Sequence, residues 1–330
     1  MGDIYHAVRV SVPGDLSTVS VDTLEIPVLC NDEVLVHMEY SMVNPSDVNT
    51  ANGKYPSGPP PICVGLEGSG TVVKSGGSDL GNSLVSKRVA VRGKGTWADY
   101  VIVKADSVFP LLDTTSFEQA ANLVVNPMTV ALFIEKIQKN GHKAAVQNAA
   151  ASSLGQMLIK WCKILNIPLI NLVRRQEQAD ILKNIGAEHV INTSEEDWKQ
   201  KAILLSKTLG TTIAFDAIAG DSTSDLADMI EDGGIVYNYG RLSGQNCKFG
   251  PMHLIFQRKR LEGLWLTNWL DGKTYEERVE IGFLVQRLIS EVFGIEHARV
   301  ICLADVQATL MGFNDSSMTN NKILLRTRLG

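Results

Sequence analysis

An α/β fold, with a doubly wound parallel sheet behind a β-rich front, is what this sequence predicts, and three observations predict it. Apolar runs at 144–146, 169–173, 189–191, 213–216, 235–237 and 261–264 alternate with helix-like stretches, the rhythm of strands joined by crossover helices. Upstream of about Thr115, short alternating runs at 33–37, 70–74, 88–91 and 100–103 are separated by Gly, Pro, Ser and Asn, as in a small barrel or sandwich. In the stretch 143–175, a buried-strand core is followed by a turn of small residues from Gln147 to Gly155. Met157, Leu158, Trp161, Cys162 and Leu165 then recur at helical spacing.

Taken in order, the chain enters a strand-like alternation at once in MGDIYHAVRV, where no secretory or transit segment is legible. Segment 44–67, NPSDVNTANGKYPSGPPPICVGLE, has little periodicity, and an irregular loop of this length in a domain is expected to be functional or disordered. The turn 147–155 keeps only Gly155 of the three glycines in the usual G-x-G-x-x-G pattern, with Ser152 and Ser153 in its middle. Small side chains there let backbone amides approach a pyrophosphate, and the helix start offers it unpaired N–H groups and a partial positive charge. The next strand ends in Arg174 and Arg175, where an acid would grip a ribose 2′-hydroxyl. Two guanidinium groups instead favour a 2′-phosphate and hence NADPH; in the alternative reading both are solvated residues opening the next helix. Segment 261–270, with Trp265 and Trp269, is expected to form the last strand of the sheet, with a free edge that invites a partner. A helical segment at about 275–289, a strand-like piece at 299–303 and a terminal strand at 322–326 complete the chain.

Composition sets the bounds. A chain of 330 residues with 45% hydrophobic and 20% charged residues is globular and long enough for two domains. A net charge of −5 argues against a nucleic-acid binder, which needs a basic surface. The five cysteines are odd in number and form no C-x-x-C pair, so neither a disulfide framework nor a zinc knuckle is expected. No uninterrupted apolar run reaches the roughly 18 residues that a membrane-spanning helix needs.

The β-rich front, Rossmann middle and β return resemble the medium-chain dehydrogenase/reductase superfamily. That resemblance implies a GroES-like catalytic domain over 1–120 and 297–330 and a Rossmann nucleotide-binding domain over 121–296. The catalytic-zinc branch uses a Cys and a His-Glu pair; here Gly65-Leu66-Glu67 stands where His-Glu would fall, so the resemblance is to the zinc-free reductases, with no metal. Asn44-Pro45-Ser46-Asp47-Val48-Asn49, followed by Gly53-Lys54-Tyr55-Pro56-Ser57, looks like the substrate loop of mitochondrial trans-2-enoyl thioester reductases. Gly95-Thr96-Trp97, Asn126-Pro127-Met128-Thr129, Gln147-Asn148-Ala149 and the segment from Leu254 to Leu266 are similar to that family as well.

The resemblance implies Tyr55 as catalytic acid and Asn44 and Trp265 in the substrate pocket. It places Asn148, Ser152, Ser153, Leu154, Gly155, Arg174, Arg175, Tyr239, Leu264 and Lys322 at NADPH. The implied reaction is NADPH-dependent reduction of an enoyl thioester of CoA or acyl carrier protein, in fatty acid synthesis, by a homodimer in the mitochondrion; the N-terminus leans to a cytoplasmic alternative. A tyrosine is a competent acid within hydrogen-bond reach of its acceptor, although a loop tyrosine is more commonly a packing group. Three departures stand out: the serines in the phosphate turn, Arg241 after Tyr239-Gly240 where a glycine is usual, and Ala131 where an aromatic is usual. They keep open an accessory subunit of a larger assembly that retains the fold. An NADPH:quinone reductase is a third reading.

Overall fold

Alternating runs at the two ends of the sequence give mainly antiparallel strands, with one parallel pair, 299–302 beside 323–326, and the buried apolar runs of its middle give parallel ones. The computed structural model describes residues 3–55, 57–295, 298–312 and 322–328. The chain divides into two compact units, residues 1–128 with 273–330, and residues 129–272. The expected boundaries were 120/121 and 296/297. The difference lies chiefly in helix Tyr275–Arg287, which joins the first unit: Arg278 pairs with Asp106 at 3.0 Å, and Gln286 accepts from the Leu112 N–H and donates to the Pro110 carbonyl.

The first unit holds β1 (Ile4–Val10), β2 (Val19–Glu25), β3 (Glu33–Val43), β4 (Ile62–Cys63), β5 (Glu67–Ser75), β6 (Arg88–Arg92), β7 (Tyr100–Lys104) and β8 (Val108–Pro110). The middle of the chain supplies β9 (Ala145–Gln147), β10 (Leu169–Val173), β11 (His189–Asn192), β12 (Ile213–Asp216), β13 (Ile235–Asn238) and β14 (Arg260–Gly263). The first unit resumes with β15 (Arg299–Cys302) and β16 (Ile323–Arg326). A three-stranded sheet runs β2-β1-β4, and a larger one runs β15-β16-β3-β5-β6-β8 with β7 also on β3. Their core contains Val8, Val10, Val64 and a fully buried Trp97, whose indole N–H donates to the Met42 carbonyl at 2.9 Å.

The second unit is a six-stranded sheet in the order β11-β10-β9-β12-β13-β14, parallel throughout. All five residues of β10 are buried, as a parallel strand covered on both faces requires. The order reverses between β9 and β12, and in such sheets ligands bind beyond the carboxyl ends of the strands at that reversal.

Two expectations are corrected. Segment 44–67 is not irregular throughout: Pro45 at the first helical position and Asp47 three residues after Asn44 open a short helix, Pro45–Ala51, and β4 follows. Segment 261–270 is not one strand, because β14 ends at Gly263 and Leu266–Asp271 is helical. Among the described residues no helix is long and apolar enough to cross a membrane.

Candidate active site

The turn after β9 is built as its sequence suggests, with one change of role. Ser152 does not crowd the turn; its hydroxyl caps helix Ser153–Ile164 by accepting from the Gly155 N–H at 3.1 Å. The Ser153 and Leu154 amides, at the first helical positions, therefore face outward without intrahelical acceptors. Gly155 is required by close approach, since a Cβ there would lie 2.4 Å from the Ala150 carbonyl oxygen. At the end of β10, Arg174 and Arg175 are both exposed, and among the described residues neither forms an ion pair.

Asn148 does more than line the turn. Its amide donates to Asp216 at 2.6 Å and to Ser222 at 2.9 Å, and its oxygen accepts from the Ala217 N–H at 2.7 Å, so β9 and β12 are tied together at the reversal. Asp216 is fully buried, and sequence reasoning missed it. Oδ1 also accepts from the Ile218 and Ala219 amides, while Oδ2 accepts from Thr223 Oγ1 at 2.6 Å and Asn238 Nδ2 at 3.3 Å. The signal was present as an acid closing an apolar strand, followed by Ala217, Ala219 and Gly220, which echoes the small residues after β9. Tyr239 lies edge-on to Phe133, which stacks on Phe215 with centroids 4.1 Å apart, so Phe133 supplies an aromatic two residues beyond Ala131. Arg241 turns back into its own loop and donates to the Gly244 carbonyl at 2.6 Å. Leu264 donates its N–H to the Asn238 carbonyl, and Trp265 is 64% exposed.

In the first unit a buried acid organises the loop that carries Tyr55. Glu67 accepts from Asn44 Nδ2 at 2.7 Å and from the Val124 and Val125 amides at 2.9 and 2.8 Å, at the start of helix Val125–Lys139. Burial pushes its carboxyl up, opposed by those three donors and by the Lys322 ammonium. Lys322 thus acts on Glu67, and the Asn44 amide, expected in the substrate pocket, is committed to it. Asp47 is fully buried, and its Oδ2 accepts from the Asn44 N–H at 2.7 Å. Burial holds its carboxyl well above the usual range, and the Glu67 charge adds to the effect. Tyr55 is 38% exposed, and among the described residues its hydroxyl makes no hydrogen bond. Among the described residues no three of His, Cys, Asp and Glu converge as metal ligands.

The raised Asp47 carboxyl has a consequence for stability. The folded chain holds that proton to higher pH than the unfolded chain, so Asp47 costs stability once pH rises above the unfolded value, most fully above the folded one. Asp47→Asn keeps an acceptor for the Asn44 N–H and removes the titration. Its melting temperature relative to the parent should rise by a few degrees between pH 5 and pH 8, read by calorimetry; a difference independent of pH would contradict the assignment.

Comparison with known proteins places these features. Residues 30–113 match the alcohol dehydrogenase GroES-like domain family, and residues 153–281 match the zinc-binding dehydrogenase family. The mitochondrial enoyl-[acyl-carrier-protein] reductase of Caenorhabditis elegans is 34% identical over 264 residues, which are 76% of this chain and 74% of the relative. A Mesorhizobium loti structure described as an NADPH:quinone reductase superposes with a TM-score of 0.85 at 29% identity, covering 99% of each chain. Escherichia coli quinone oxidoreductase, solved with NADPH, superposes at 0.84 with 22% identity over 97% of this chain and 99% of that one, a likeness of fold. A capped nucleotide turn on a doubly wound sheet, a GroES-like unit and this degree of identity lead to one conclusion: the chain belongs to the medium-chain dehydrogenase/reductase superfamily, on the zinc-free side that holds enoyl thioester and quinone reductases.

Proposed function

We propose that this chain reduces trans-2-enoyl thioesters with NADPH. The observation that carries the reading is Tyr55: it sits in the loop anchored by Asn44 and Glu67, exposed and without a hydrogen bond among the described residues, as a proton donor must be and a packing tyrosine is not. The Ser153 and Leu154 amides and the helix behind them bind the pyrophosphate, and Arg174 and Arg175 grip the 2′-phosphate. The bound cofactor supplies a hydride for the substrate β-carbon. Tyr55 donates its hydroxyl proton to the α-carbon as the enolate collapses to the saturated thioester. The acyl carrier is CoA or acyl carrier protein. The name of the Caenorhabditis relative supports a place in mitochondrial fatty acid synthesis.

The likeness to the Mesorhizobium structure supports a second reading, quinone reduction, and Tyr55 separates the two. Tyr55→Phe keeps the ring and loses only the hydroxyl. With crotonyl-CoA the variant should lose about 10² to 10⁴-fold in single-turnover rate with NADPH affinity almost unchanged. A quinone takes up the hydride without protonation at carbon by Tyr55. Full crotonyl-CoA reduction by the variant would remove Tyr55 as the acid. Quinone turnover by the parent protein without thioester turnover would establish the second reading, and turnover of neither would favour an accessory subunit.

The partner at the sheet edge is a second copy of this chain. β14 is last in its sheet, with Arg260 and Glu262 exposed on one face and 3.6 Å apart. Antiparallel self-pairing about Leu261 sets Arg260 opposite the second copy's Glu262, twice over, and the exposed Leu254, Ile255 and Phe256 just before the strand add apolar surface. Glu262→Arg sets like charges opposite and should yield monomers in light scattering at micromolar concentration, while Arg260→Glu with Glu262→Arg restores the dimer. A dimer unaffected by the single charge reversal would place the interface elsewhere.

A further inference from the structure

Asp216 is a buried carboxyl at the reversal of the sheet with no counter-cation: among the described residues no Lys, Arg or His pairs with it, and every group that touches its two oxygens is a neutral donor. Five donors and no acceptor are the surroundings that suit an acceptor-only carboxylate. Dipoles satisfy such a charge without cancelling it, so its field extends beyond the network. Burial raises the Tyr239 hydroxyl strongly, and the Asp216 charge adds to that rise. Asp216 also stands at the carboxyl end of β12, beside the reversal between β9 and β12 where doubly wound sheets receive the dinucleotide.

We propose that Asp216 biases the site toward the oxidised form of the nucleotide, acting as a fixed negative charge behind the crevice that favours the cationic nicotinamide of NADP⁺ over the neutral dihydronicotinamide of NADPH. The inference rests on the nucleotide site proposed above. The hydride leaves with both electrons of its bond and the ring left behind becomes a cation, so a charge that stabilises the cation lowers the cost of hydride departure. Asp216 is in this sense a positioning residue with a second, electrostatic task. It holds Asn148, Ile218 and Ala219 in place through Oδ1, and it sets the redox preference of what they hold.

Asp216→Asn separates the two tasks. An asparagine oxygen can keep the Asn148, Ile218 and Ala219 donors, and its NH₂ can face Thr223 and Asn238, whose hydroxyl and amide can turn to accept. Calorimetric titration with NADP⁺ and with NADPH should show the ratio Kd(NADP⁺)/Kd(NADPH) rising about fivefold or more, the order expected of one unit charge acting through an effective dielectric near 20 across a binding crevice. Thr223→Val removes one hydrogen bond and keeps the charge; it should weaken both nucleotides equally and leave the ratio alone. Ser222→Asp adds a charge at a helix start that tolerates acids, next to Asn148, and should move the ratio the other way even if Asp216→Asn fails to fold. Equal weakening of both nucleotides by Asp216→Asn, an unchanged ratio, or a shift of the same sign for Ser222→Asp would overturn the inference while leaving the site intact. A parent protein that binds neither nucleotide would overturn the site and the inference together.

Discussion

The bond between Asn148 and Asp216 fixes the ends of the two strands at which the parallel sheet reverses, and the proposed nucleotide site is arranged around it. A carboxylate removed from water is costly unless its oxygens are satisfied, and Asp216 meets that condition only while the loops after β9, β12 and β13 keep their positions. The constraint runs both ways: the loops hold the charge, and the charge holds the loops. Left-handed backbone at Ala149 (φ 48°) and Ala219 (φ 65°), conformations that non-glycine residues seldom adopt, persists beside these bonds.

The first unit repeats the device with other residues. Glu67 is fully buried, takes an asparagine amide from Asn44 and two backbone amides from the start of a helix, and so fixes the segment that carries Tyr55. The carboxylate that would stand beside a catalytic zinc in other branches of the superfamily is here a structural anchor, with Leu66 next to it. Each unit thus uses one buried acid and one asparagine to hold a loop on a rigid sheet, as the proposed site would require.

Much of this was legible in the sequence. The strands after Thr115 follow directly from apolar runs because both faces of a parallel sheet are buried, and Gly155 with its preceding serines marked the tight turn into the next helix. Illegible parts share a cause: they depend on groups brought together across many residues. Nothing local to Asp216 says that Asn148, sixty-eight positions away, donates to it, and nothing local to Arg241 says that its guanidinium folds back on Gly244 rather than reaching for a ligand. The run 261–270 read as a strand because its composition is apolar, yet the strand ends at Gly263 and the chain turns through Leu264 and Trp265 into a helix. Periodicity in so short a piece does not separate the two.

The proposed reaction is a balanced transfer, hydride to the β-carbon of an enoyl thioester and proton to its α-carbon. Incubation of the full chain with crotonyl-CoA and NADPH deuterated at the transferring position of the ring, followed by mass spectrometry of the thioester, tests it most directly. The expected product is butyryl-CoA carrying one deuterium, located at the β-carbon, with the α-hydrogen drawn from solvent. Crotonyl-CoA recovered unchanged, or butyryl-CoA with deuterium at the α-carbon, would contradict it.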